Sequence, residues 1–339
     1  MRKLKAVFAV FCILFIITAL PGCSSAAAAP GSSKASGSSG SKGSATSASG
    51  PKKSQSSAAK KGSRDNTPQV LVPEAPGTSV LGNDLIALDV SNLSEGYLCA
   101  RYTGGASRIK IFIITPDGVK YTYDMTDTDF WSVLPLTGGD GTYQIEVYEH
   151  IEGTSYSTLY KEPALAVTLA DEFRPFLYPN QYTWFTADSE TVKKAAELSK
   201  SADCDLDVIT NVYNFTIKNI VYDEEKARDA ESGNLTGYLP DVDQVLASKE
   251  GICFDYAALM TAMLRSQGIP VKLEIGYSGE TYHAWISAWV DEIGWVDNVI
   301  EFDGKSWTLM DPTLAANNTA KAVKKYVGDG SNYTVKYSR

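Results

Sequence analysis

The chemistry in this chain is read first from "EGICFDYAALMTAML", residues 250–264. A polar stretch ends, one glycine passes, and Cys253 stands where an apolar, alanine-rich helix is expected to begin. Free cysteine is among the most buried residue types, so packing is the plain explanation. The alternative is nucleophilic chemistry, because the positive end of a helix dipole stabilises a thiolate. A thiol nucleophile needs a base, usually held in place by a third group. The chain has two histidines, His150 and His283. His283 follows Cys253 by thirty residues, in "YHAWISAWV". Asp311, in "SWTLMDPT", ends an apolar strand and is fixed by Pro312. Taken singly, these three read as a core thiol, a strand histidine and an Asp-Pro turn. Taken together they are a nucleophile, a base and an orienting carboxylate.

The elements that must carry them follow from periodicity. "DSETVKKAAELSKSA" predicts a helix starting near Asp188 or Ser189, either of which can cap it. Ile209, Val212, Tyr213, Thr216 and Ile220 recur on one face of a second helix. "VYDEEKARDAESGNLTGYLP" is polar and reads as a surface loop, and "DVDQVLASKEG" as a short helix and a turn. Leu259, Met260, Met263 and Leu264 stripe the cysteine-headed helix, which Gly268 and Pro270 end. Strands follow in "VKLEIGY", "TYHAWISAWV" and "SWTLMDPT". Alternation puts His283, Trp285, Ser287 and Trp289 on one face of the middle strand, opposite Ala284, Ile286, Ala288 and Val290. The expectation is a cleft-facing histidine walled by tryptophan. Helices followed by strands indicate α+β over residues 185–339.

Residues 68–175 have a different period. "GTYQIEVYE" alternates cleanly, "RIKIFIIT" is an apolar strand, and "TPDG" and "GGDG" are turns. Six to eight short strands of this kind predict an all-β sandwich domain. Cys99 reads as a core thiol there, and His150, with no second ligand-type residue beside it, as a structural histidine. This half holds no catalytic grouping.

The chain begins "MRKLKAVFAVFCILFIITALPGC". A basic start and an apolar run shorter than a membrane span read as a signal peptide, residues 1–23. "LPGC" resembles the lipobox of bacterial lipoproteins, which implies cleavage before Cys23, its acylation, and a mature chain held to the outer face of the cell membrane. Residues 24–67 are rich in Ser, Ala, Gly and Lys, lack large apolar side chains, and read as a disordered tether. Residues 1–67 carry ten Lys/Arg against one acid. With a whole-chain charge of −9, residues 68–339 carry −18. So acidic a folded region argues against a nucleic-acid partner. Of five cysteines, Cys12 leaves with the signal peptide and Cys23 is the lipid site. Three remain, so at least one of them is unpaired within the chain.

"GICFDYAALMTAMLRSQGIPVKLEIGY", "YHAWISAWV" and "WTLMDPT" together resemble the three core blocks of the transglutaminase-like superfamily, with its papain-like arrangement of a helix cysteine and sheet histidine and aspartate. The resemblance covers roughly residues 189–314. It implies Cys253 as nucleophile, His283 as general base and then acid, and Asp311 as the group that orients the imidazole. The implied reaction is acyl transfer from a carboxamide through a thioester, resolved by an amine or by water, with no cofactor. The substrate would be a protein or a cell-wall peptide. The chain departs from the family pattern after "HAW", where "ISAWV" is apolar or small and the family commonly has polar residues, and in the segment before "WTLMDPT". The segment "VDEIGWVDNVIEFDGKSW" is long, leaving Trp295 and Trp307 both as candidates for a single family tryptophan. The second oxyanion donor, beside the Cys253 amide, is not assignable. A surface binding or scaffolding module that keeps the fold without catalysis is the alternative. Metal is not indicated: histidines and cysteines are too sparse for a closed site, and no EF-hand loop is present.

Overall fold

The computed structural model describes residues 64–125, 130–291, 294–296, 300–302, 307–309 and 333–339. Residues 1–63, which include the segment read as a signal peptide with Cys23 and most of the segment read as a tether, and Asp311 lie outside the described residues.

Eight strands come first: β1 (Val80–Gly82), β2 (Ile86–Asp89), β3 (Tyr97–Tyr102), β4 (Ile109–Ile114), β5 (Lys120–Met125), β6 (Ser132–Pro135), β7 (Gly141–Glu152) and β8 (Ser155–Val167). They form two four-stranded antiparallel sheets, ordered β1-β2-β3-β6 and β5-β4-β7-β8. Alternation decides which side chains point inward. Ile109, Ile111 and Ile113 are buried, as are Tyr143, Ile145 and Val147 on the neighbouring strand, while Gln144 is exposed. These residues and Ile86, Leu88 and Leu98 of the other sheet share one apolar cluster, so the two sheets pack as a sandwich.

The second half runs α1 (Glu190–Ser199), α2 (Asp205–Asn219), β9 (Val221–Tyr222), α3 (Glu224–Glu231), α4 (Val242–Ser248), β10 (Glu250–Gly251), α5 (Cys253–Arg265), β11 (Val271–Ser278), β12 (Thr281–Val290), β13 (Gly294–Val296), β14 (Ile300–Phe302), β15 (Trp307–Leu309) and β16 (Tyr333–Ser338). Its main sheet is antiparallel, in the order β13-β12-β11-β16. Helix α5 packs against β11 and β12 and is ringed by α1, α2 and α4. Residues 255–265 of α5 are all buried, including Asp255 and Arg265. The fold is therefore α+β behind an all-β sandwich.

Three local expectations are revised. Ser189 is the N-cap of α1, but its side chain makes no cap bond. The carboxylate of Asp243, from α4, instead accepts from the amides of Glu190 and Thr191. A tertiary contact replaces a local one. The polar stretch read as a loop contains α3, which has no buried residue and is capped by Asp223 accepting from the Lys226 amide. A helix with no apolar face leaves no periodic signal. The last residues of the segment read as tether rest on the α+β half. Arg64 pairs with Asp205 at 2.6 Å and donates to the Gln267 carbonyl, and Asn66 donates to Ala202 at 3.0 Å.

Strand β16 meets the sandwich. The Thr137 hydroxyl donates to the Ser338 carbonyl at 2.7 Å, and Tyr121 exchanges hydrogen bonds with Ser338 at 3.2 Å.

Candidate active site

Cys253 is the first residue of α5, after an N-cap at Ile252 in extended conformation. The parallel bridge of β10 to β9 sets Glu250 beside Val221 and Gly251 beside Tyr222, and so aims the chain into the helix. Gly251 is needed for steric reasons: a Cβ there would lie 2.6 Å from the Cβ of Asp255. Cys253 itself is half-buried, against the core on one side and open to a cleft on the other.

Asp255, two residues on and fully buried, holds this helix start together. One carboxylate oxygen accepts from the Ile252 amide at 2.8 Å and from Lys226 Nζ at 2.7 Å. The other accepts from the Tyr238 hydroxyl at 2.5 Å. A buried carboxylate is tolerable only when so satisfied. Burial first, and the Asp255 carboxylate next, push the Tyr238 phenol far above its ordinary value, so it stays a donor. Lys226 also sits 4.1 Å above the Tyr238 ring. Neither Lys226 nor Tyr238 was singled out from sequence, because both lie in the polar stretch read as a loop. Asp255 had a legible signal: an acid at the third helical position is half of a capping box.

His283 is on β12, paired across the ladder with Gly276 of β11. Gly276 admits the backbone of β16, since a Cβ there would meet the Thr334 carbonyl at 2.0 Å. The imidazole is half-buried and stacks near Trp285, 22° from parallel. Cys253 and His283 line one cleft of about 410 Å³, together with Tyr182, Tyr238, Phe254, Tyr282 and Arg339. The structure thus brings the predicted thiol and base to the same concavity. Asp311 lies outside the described residues.

The tryptophan wall is corrected. Trp285 and Ser287, on the face of His283, are fully buried. Ser287 donates to Glu274 at 2.8 Å, and Trp285 packs edge-on against Tyr333 of β16. Trp289 stacks with Trp295 and Phe173, away from the cleft, and Lys272 lies 3.9 Å over the Trp295 ring. The alternation was right, but the Trp285 ring lies across Gly276 of β11 towards Tyr333 of β16, within the same sheet, and is buried there. Tyrosines line the cleft instead.

Residues 192–298 match the family model of the transglutaminase-like superfamily. The chain carries a transglutaminase-like domain. The match contains Cys253 and His283 and ends before Asp311. Among curated proteins, a UPF0252 protein of Methanocaldococcus jannaschii is 26% identical over 243 residues, covering 66% of this chain and 67% of that one. Among solved structures, a Cytophaga hutchinsonii protein provisionally assigned as a cysteine protease is 16% identical with a TM-score of 0.32, over 64% of this chain and 78% of that one. Red sea bream transglutaminase is 10% identical with a TM-score of 0.27, over 66% and 49%. At the level of the superfamily, the transglutaminase-like domain belongs with cysteine-based enzymes.

Proposed function

We propose that the protein is a membrane-tethered, extracytoplasmic cysteine enzyme of acyl transfer, acting on protein or cell-wall peptide. The observation that carries this reading is the shared cleft of Cys253, at the start of α5, and His283, on β12. In the proposed reaction His283 takes the thiol proton and the Cys253 sulfur attacks a carboxamide carbon. The tetrahedral oxyanion forms beside the Cys253 amide, an N–H that no helical carbonyl engages. Collapse breaks the C–N bond, and His283 returns the proton to the departing amine or ammonia, leaving a thioester. An amine then gives transamidation and water gives hydrolysis. Asp311, by the family resemblance, orients His283. The lipobox-like "LPGC" supports acylation at Cys23 and a position on the outer face of a bacterial membrane.

The test is site-resolved alkylation. Iodoacetamide labelling of Cys253 in the full chain, read by peptide mass spectrometry at about pH 7, should fall about tenfold or more in His283→Ala. An unchanged rate would show that His283 does not activate this thiol. The protein would then be better treated as a binding module.

A further inference from the structure

Among the described residues of the cleft, one charged side chain is left unused by the proposed chemistry. Arg339 is about 4% exposed and lines the same cleft as Cys253 and His283. Its backbone is pinned to β11: the Arg339 amide donates to the Leu273 carbonyl at 2.9 Å, and the Leu273 amide donates back at 2.8 Å. Its guanidinium lies over four tyrosine rings, Tyr182 at 4.2 Å, Tyr337 at 4.9 Å, Tyr121 at 5.3 Å and Tyr123 at 5.6 Å. Tyr182, the nearest of these rings, and Tyr282 line the cleft with it. Among the described residues no carboxylate pairs with it, and its Nε has no hydrogen-bond partner.

Arginine stays charged in proteins, and burying a cation without a counter-ion is costly. Contacts with ring faces and side-chain hydrogen bonds to the Tyr123 and Tyr182 hydroxyls offset part of that cost but leave Nε without a partner. Arg265, the other buried arginine of this region, shows the contrast: its guanidinium donates to the Tyr178, Val271 and Arg339 carbonyls at 2.7–3.1 Å. Arg265 is committed to the fold, whereas Arg339, a lining residue of the cleft, keeps a buried Nε with no acceptor among the described residues.

We propose that Arg339 recognises a carboxylate on the acyl-donor substrate. The favoured donor is then a peptide carrying a free carboxylate close to the carboxamide that Cys253 attacks. This inference rests on the acyl-transfer reading of the cleft. Arg339 acts on specificity and takes no part in bond making. The carboxylate can be a peptide's terminal group or an acidic side chain, and both present the same planar anion to the guanidinium.

The first test needs no substrate. Iodoacetate and iodoacetamide form the same C–S bond to Cys253 and expel iodide, but only iodoacetate carries a carboxylate. The ratio of their labelling rates should fall about fivefold or more in Arg339→Gln and be largely kept in Arg339→Lys, with the iodoacetamide rate of both near wild type. An unchanged ratio in Arg339→Gln overturns the proposal. If that variant fails to fold, the second test still decides, because it uses the unaltered chain. N-acetyl-Gly-Gly, with a terminal carboxylate, N-acetyl-Gly-Glu amide, with a side-chain carboxylate, and neutral N-acetyl-Gly-Gln amide are compared as protectants of Cys253 against iodoacetamide. Protection by the first marks terminal carboxylates as the ligand, and by the second acidic side chains. Equal effects of all three overturn the proposal. A His283-independent iodoacetamide rate would defeat the catalytic reading separately, since the iodoacetate ratio is measured within each variant. Failure of either reagent to label Cys253 defeats both.

Discussion

Cys99 and Cys253 are both free thiols, one in each half of the molecule. Cys99 lies on β3 opposite Asp89 and Val133, clustered with Tyr97, Val133 and Tyr178. Among the described residues its sulfur reaches the Glu74 carbonyl, at 3.6 Å. Burial first, and the Asp89 carboxylate second, push its thiol up to about 12. Cys253 has a core behind it, a helix N-terminus beneath it and a cleft in front. The residue type is the same and the surroundings differ: one sulfur is packed in a strand core, the other faces a cleft at a helix start. A strand interior offers apolar neighbours and no donors. The first turn of a helix offers unpaired N–H groups and a dipole that favours negative charge.

The strongest way to break this comparison is to label both thiols at once. Iodoacetamide at about pH 7.5 should modify Cys253 about a thousandfold faster than Cys99, because a thiol with so high a pKa has almost no thiolate there. Exposed Cys204 is the internal standard for an accessible thiol. Comparable rates at Cys99 and Cys253 would remove the distinction.

A smaller effect should come from the support under Cys253. Asp255→Asn leaves Lys226 without its carboxylate in a buried setting. It should cost about 2–3 kcal/mol by urea denaturation, moderated by the partial exposure of the lysine. The same variant should slow Cys253 labelling severalfold, whereas Cys99 should be untouched. Gly251→Ala forces a Cβ against Asp255 and should cost about 1–3 kcal/mol.

A further effect is confined to alkaline solution. Below the ordinary thiol range Cys99 is protonated both folded and unfolded, and its contribution to stability is fully present. As pH rises past about 9 the unfolded thiol ionises and the folded one does not. Stability is then lost at up to about 1.4 kcal/mol per pH unit until about 12. Cys99→Ala should flatten the alkaline limb of a stability–pH curve relative to wild type. Parallel limbs would mean that Cys99 is not the group responsible.

Much of the architecture was legible because it rests on local period. Alternation in "GTYQIEVYE" and the apolar run "RIKIFIIT" gave sandwich strands, and the Ile209 to Thr216 stripe gave α2. The helix starting at Cys253 was legible from a glycine, a thiol and an apolar run. The surface helix α3 was not, since it buries nothing and carries no stripe. The cap of α1 was misassigned because Asp243, remote in sequence, displaced the local serine. The wall of the cleft was misassigned because alternation says which residues share a face but not what covers that face.

By itself, the sequence determined the cysteine-headed helix, the strand histidine and the order of the two halves. Each depends on neighbours a few residues away, through helix period, strand alternation and turn chemistry. Only the tertiary structure decided that Cys253 and His283 share a cleft, that Trp285 is buried, and that Tyr238 and Lys226 converge on Asp255. It also decided that Arg339, 86 residues beyond Cys253, lies on the same cleft. Those arrangements need segments far apart in the chain to meet, and the energy that fixes them, burial and satisfaction of polar groups, exists only once the core has closed.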